Sequence, residues 1–187
     1  MPDNVASALS FIVGSIGQLY TFVLILRFLL PFARADFRNP LSQGILKITS
    51  PLVVPLRRVI PSFGRIDTAT LVVIFFALYL TLFLISLIIG ARLGPSILAL
   101  SSLAYIPLLI LRLYFFLIIV RVILSWVAPG GYNPAIALFH QLTDPVLRPV
   151  QRVIPPLGGF DLSPIFAIIL IGALIRFVQG FIPFAAM

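Results

Sequence analysis

The 187-residue sequence has no cysteine and no glutamate. Without cysteine there are no disulfides, no thiol redox chemistry and no haem attachment through Cys-x-x-Cys-His, and redox usage says nothing about compartment. The acidic complement is five aspartates, scattered from Asp3 to Asp161, and no two are placed as a dyad for acid–base catalysis. Histidine occurs once, as His140, with no acidic or thiol cluster around it. A metal or haem site needs several convergent ligands, so none is expected. No nucleophile–base pair and no Gly-rich phosphate loop are present either, so the expectation is a protein without a cofactor and without enzymatic activity.

What the chain has in excess is apolar residues. Its hydrophobic content is 61% and its mean hydropathy +1.19, whereas ordinary soluble domains contain about 45–50%. A helix needs about 20 apolar residues to cross a hydrocarbon core. Residues 4–26 and 68–91 are that long and carry no charge. The first lacks a basic segment ahead of it and is too long for the core of a secretory signal, so it is expected to be retained. Thirteen Lys and Arg oppose the five aspartates, for a net charge of +8. These bases flank apolar segments, where anionic lipid headgroups contribute about 1 kcal/mol per basic residue. Anionic lipid, rather than nucleic acid, is therefore the expected partner.

An internal repeat organises the sequence. Sliding the chain by 94 residues aligns Tyr20 with Tyr114, Arg27 with Arg121, Asn39-Pro40 with Asn133-Pro134 and Asp67 with Asp161 without a gap. Nine of the 19 positions from Thr49 to Asp67 are identical, including Pro51/Pro145, Pro55/Pro149, Arg58/Arg152, Pro61/Pro155 and Gly64/Gly158. Such a period marks a duplicated structural unit. The units are taken as residues 1–94 and 95–187. The predicted fold is all-α in a membrane: four transmembrane helices, near residues 8–32, 69–90, 102–126 and 163–184, with 91–101 as a connector or interfacial helix. A fifth span within the long apolar stretch at 93–127 is the alternative. Two spans per unit make the copies parallel. Basic residues concentrate in the loops at 33–68 and 127–162, which places those loops in the cytoplasm and both termini in the periplasm.

Each loop carries the same helix signals. Asn39-Pro40 and Asn133-Pro134 combine a capping side chain with a proline suited to the first helical position, and Ser50-Pro51 and Asp144-Pro145 repeat the device. In the segment that follows, Leu52, Leu56, Val59, Ile60 and Phe63 share one side and Arg57 and Arg58 the other. In the second copy Val146, Val150, Val153, Ile154 and Leu157 oppose Arg148, Gln151 and Arg152. Pro55 and Pro149 remove an amide within it, so a kinked amphipathic helix in the membrane interface is expected. Asp67 and Asp161 stand where a carboxylate caps the next span.

The stretch Arg121-Val-Ile-Leu-Ser-Trp126, Asn133-Pro134, Thr143-Asp-Pro-Val-Leu-Arg-Pro149, Arg152-Val-Ile-Pro-Pro156 and Gly158-Gly-Phe-Asp-Leu-Ser-Pro164, with Ser163-Pro164 at its end, resembles the YggT family and its YlmG and chloroplast Ycf19-like relatives. The first copy departs from it: Pro31-Phe32 replaces Ser125-Trp126, Ser50 replaces Asp144 and Thr68-Ala69-Thr70 replaces Leu162-Ser163-Pro164. The tandem form is similar to that of proteobacterial members, which implies a bacterial inner membrane. The resemblance further implies a link to osmotic-shock tolerance, to cell division and nucleoid organisation, or to cytochrome maturation. Two readings follow: a non-enzymatic scaffold or assembly factor that binds other membrane proteins or itself, and a small oligomeric channel or transporter for K+ or another ion.

Three features within the spans carry alternatives of their own. Tyr20 and Arg27, like Tyr114 and Arg121, are seven residues apart on one helix face. They would either line a polar site inside the membrane or let the arginines snorkel to the headgroups. Arg176 has no counterpart, since it aligns with Leu82, and either meets a partner or snorkels outward. Ala6, Ser10, Gly14 and Gly17 form a small-residue stripe suited to close helix packing.

Overall fold

The computed structural model describes residues 3–127, 133–154 and 161–184. Among the described residues the chain is all helix apart from one isolated bridge between Phe63 and Ile66. Six helices follow in order: α1 (Asp3–Phe32), α2 (Pro40–Arg57), α3 (Thr68–Ile88), α4 (Pro95–Val127), α5 (Pro134–Val153) and α6 (Ser163–Gln179). α1, α3 and α4 are long and apolar enough to cross a membrane. α6, at 17 residues, is equally apolar but rises only about 26 Å.

The repeat is visible in the packing. α1 lies against α3 as α4 lies against α6, and α2 bridges the first pair as α5 bridges the second. Leu24, Ile25 and Leu30 of α1, Ile74, Leu78 and Leu82 of α3, and Tyr105, Leu108 and Leu109 of α4 are fully buried in one core that joins the copies. A smaller cluster, around Ile118, Leu147, Ala167 and Ile171, belongs to the second copy alone. The copies are not joined symmetrically. α3 packs on the start of α4, while among the described residues α6 makes no equivalent contact with α1. Large apolar side chains such as Phe11, Ile16 and Leu19 of α1 and Ile169, Leu170 and Phe177 of α6 are exposed.

Several expectations need correction. Residues 95–101 are no connector: they form the first turns of α4, because Leu98, Ser101 and Ser102 are buried against the neighbouring helices. α4 is one unbroken helix through the stretch where a fifth span could have been drawn. The last helix stops at Gln179 rather than residue 184, and the chain turns at Gly180. Ser50-Pro51 and Asp144-Pro145 start no helix. α2 and α5 run through both of their prolines, and Ser50 and Asp144 spend their side chains on tertiary contacts. Finally, α2 ends at Arg57, so Val59 and Phe63 lie beyond it, exposed.

Two members of the small-residue stripe, Gly14 and Gly17, face α3. Gly14 meets Ile85 of α3 in ordinary contact, and a Cβ on Gly17 would come within 2.3 Å of the Thr81 side chain. Glycine at 17 thus sets the separation of α1 and α3.

Candidate functional site

The Asn-Pro signals work as read. Asn39 Oδ1 accepts from Leu41 N at 2.9 Å and Asn133 Oδ1 from Ala135 N at 2.8 Å, each with proline in the first turn. Asn39 does more. Its Nδ2 donates to the Pro134 carbonyl at 2.6 Å, and Gln141 Oε1 accepts from Asp36 N at 3.1 Å. The two Asn-Pro motifs therefore meet where the copies join.

From these starts α2 and α5 run back over the longer helices, and an arginine of α1 and one of α4 receive them. Arg27 Nη1 donates to Thr49 Oγ1 at 2.8 Å, to Ser50 Oγ at 3.2 Å and to the Leu46 carbonyl at 3.3 Å. Arg121 Nη1 donates to Thr143 Oγ1 at 2.7 Å, to Asp144 Oδ1 at 2.6 Å and to the His140 carbonyl at 3.5 Å. Every partner is offset by 94 residues, so this clamp is a repeated device. Each arginine turns to its own copy's loop helix. Arg27 is 3% exposed and does not snorkel. Tyr20 and Tyr114 pack against the apolar core rather than joining these hydrogen bonds. Thr49 and Thr143 are the central acceptors, and sequence reasoning missed them. The available signal was their identity in the repeat combined with burial of a hydroxyl on an otherwise apolar face.

A second tether holds the other end of each loop helix. Arg57 forms an ion pair with Asp67, which also caps α3 by accepting from Thr70 N at 3.3 Å and Thr70 Oγ1 at 2.6 Å. At the matching place Gln151 donates to Asp161 Oδ at 2.9 Å, and Asp161 accepts from Ser163 N at 2.9 Å. Pro61 contributes its carbonyl to Thr68 Oγ1, and Gly64 supplies the positive φ of 59° in the turn between the tether residues. Ser163 and Pro164 are buried at the start of α6. Pro155 and Gly158 lie outside the described residues.

The electrostatics differ between copies. Burial raises the Asp144 carboxyl, but the hydrogen bonds and charges of Arg121 and Arg148 together outweigh it and hold the group below its ordinary 3.8. Burial likewise opposes ionisation of Asp67, and Thr70 and Arg57 overcome it. Burial lowers His140, and the nearby Arg121 lowers it further against the opposing charge of Asp144. In the first copy, among the described residues, no carboxylate touches Arg27, and its Nε is buried without a partner. Arg58, Arg148 and Arg152 are exposed, and Arg57 is half-exposed. Arg176 is exposed on α6.

A family model described as CCB3/YggT matches residues 6–88 and again 100–182. The chain belongs to the CCB3/YggT family. The two matched segments coincide with the two structural copies. Protein PA0392 of Pseudomonas aeruginosa is 45% identical over 86% of this chain and 83% of its own. Protein YggT of Escherichia coli K12 is 36% identical over 88% of this chain and 86% of its own. Ycf19 of Guillardia theta is 33% identical over 37% of this chain but 78% of its own, the extent of a single copy. No solved structure matches the chain. None of these relatives bears the name of an enzyme.

Proposed function

We propose that the protein is a non-enzymatic scaffold or assembly factor of the bacterial inner membrane, with four spans (α1, α3, α4 and α6) and α2 and α5 as amphipathic helices in the cytoplasmic interface. The termini lie in the periplasm and the loops at 33–68 and 127–162 in the cytoplasm. The observation that carries this reading is the repeated clamp. Arg27 and Arg121 spend their hydrogen bonds fixing α2 and α5 against the spans, which presents Leu52 and Arg58 in one copy and Arg148, Arg152 and Val153 in the other on the exposed surface. A fixed surface of bases and large apolar side chains suits anionic lipids, other membrane proteins or a second copy. The family resemblance points the same way, towards osmotic-stress tolerance, cell division or cytochrome maturation.

The test has two arms. Cysteines placed singly at Ser62 and at Asp3 are labelled from opposite sides of inner-membrane vesicles; labelling from the same side removes the topology. Cross-linking in native membranes, with and without Arg148→Glu and Arg152→Glu, is expected to capture a defined membrane partner that the double variant loses. Ion flux from reconstituted liposomes, changed by Arg27→Gln or Arg121→Gln, would instead establish the channel reading.

A further inference from the structure

A groove of about 520 Å³ lies between α1 and α3 under the second half of α2. Its lining is almost wholly apolar, and its floor is the close approach of Gly17 to Thr81. The rim side chains Ile16, Leu52, Phe76 and Leu80 are all more than half exposed, so the groove opens sideways, away from the protein.

The second copy shows that the fold does not require this space. At the positions of Gly17, Ala77 and Thr81 it carries Leu111, Ile171 and Ile175. These three pack with Tyr114, Val146 and Val150 into the apolar cluster of that copy. The first copy keeps the same helices and the same clamp but has small side chains where the second has large ones.

We propose that this groove binds one acyl chain of an anionic phospholipid, with the phosphate held by Arg58 at the end of α2. The groove opens between two helices of membrane-spanning length and apolarity, where hydrocarbon is the medium that fills it. Arg58 stands two residues beyond Leu56, which lines the groove, and is exposed with no ion pair among the described residues, whereas Arg57 is held by Asp67. Arginine is well suited to bidentate phosphate recognition. Apolar slot and adjacent guanidinium together match the two parts of an anionic phospholipid. The inference rests on the membrane placement of α1 and α3 proposed above. Failure of the labelling arm would remove that placement, whereas failure of the measurement below removes only the groove's occupant.

Native mass spectrometry of the detergent-purified full chain, titrated with phosphatidylglycerol, is expected to show one lipid retained per chain. Ala77→Ile, which installs the second copy's residue, removes about two buried methylenes' worth of contact and is expected to lower the apparent affinity about tenfold. Arg58→Gln should reduce the preference for phosphatidylglycerol over phosphatidylcholine. Unchanged affinity in Ala77→Ile overturns the proposal. If that variant does not fold, Ile171→Ala decides: it opens the counterpart space, so a second bound lipid supports the proposal and unchanged stoichiometry overturns it. A photoreactive residue at Leu80 provides the last arm. A phospholipid adduct in native membranes is expected, and an adduct to another copy or another protein overturns the assignment.

Discussion

The two copies hold their loop helices by the same bonds and neutralise them differently. In the second copy a carboxylate, Asp144, stands at the clamp between Arg121 and Arg148, and the far tether is the uncharged donor Gln151. In the first copy the clamp residue is Ser50, and the ion pair sits at the far end, Arg57 to Asp67. Each copy thus fixes both ends of its loop helix, with the carboxylate–guanidinium pair at opposite ends. What stays constant is the arginine, the threonine and the carbonyl, so these set the geometry and the carboxylate is an interchangeable counter-charge. The lesson agrees with the burial. Arg27 is enclosed by helices, where its charge is expensive, and Arg121 retains 16% side-chain exposure and a direct counter-ion.

Breaking each clamp tests this comparison at its largest effect. Arg27→Ala empties a fully packed position and frees α2, and is expected to cost about 2–4 kcal/mol of stability in detergent. Arg121→Ala should cost less, about 1–2 kcal/mol, because Asp144 keeps Arg148 and access to water. Denaturant titration of the purified variants measures both, and equal costs would break the asymmetry.

Next come the caps. Asn39 caps α2 and also bonds to Pro134 across the copies, while Asn133 caps α5 without a matching cross-copy bond among those described. Asn39→Ala should therefore lose about 2 kcal/mol and Asn133→Ala about 1 kcal/mol. Proteolysis of the junction should follow the same order.

Exchanging counter-charges sharpens the comparison further. Ser50→Asp gives Arg27 the carboxylate its counterpart has and is expected to stabilise by about 1 kcal/mol, whereas Asp144→Ser should destabilise by a similar amount. Melting in one detergent compares them directly. Destabilisation by Ser50→Asp would show that packing around Arg27 leaves no room for the acid.

The smallest effect is in pH. His140 has a folded-state value depressed by burial and by Arg121, with Asp144 opposing them. Its contribution is present above the ordinary 6.5 and is lost as pH falls through the lowered value, since the unfolded chain binds the proton first. Asp144 behaves in the same sense lower down: its stabilisation holds above 3.8 and is lost as pH falls through its own depressed value. The first copy carries Leu46 in place of His140 and cannot show the earlier step. His140→Leu should abolish the mild acid sensitivity of the second loop between pH 6.5 and Asp144's range, as read by limited proteolysis.

Much of this was legible beforehand. Asn39 and Asn133 identify helix starts because a cap acts within two residues, and Asp67 identifies the start of α3 for the same reason. Ser50 and Asp144 look identical to those caps locally, yet an arginine 23 residues away takes their oxygens and the helix continues through the following proline. Likewise, the spacing of Tyr20 and Arg27 fixes only a shared helix face; it cannot say that Thr49 waits on that face.

The sequence by itself determined the composition and the plan: its apolar excess gives helices long and apolar enough to cross a membrane, and the 94-residue register requires two like units. Both are properties that sum or repeat along the chain. Only the tertiary structure decided where the two guanidiniums find acceptors, that the copies join through α3 and α4 without, among the described residues, a matching α6–α1 contact, and that Gly17 and Ala77 leave a groove where Leu111 and Ile171 close one. Hydrogen bonds, desolvation and packed volume depend on distances across space. The order of residues fixes those distances only once the helices have met.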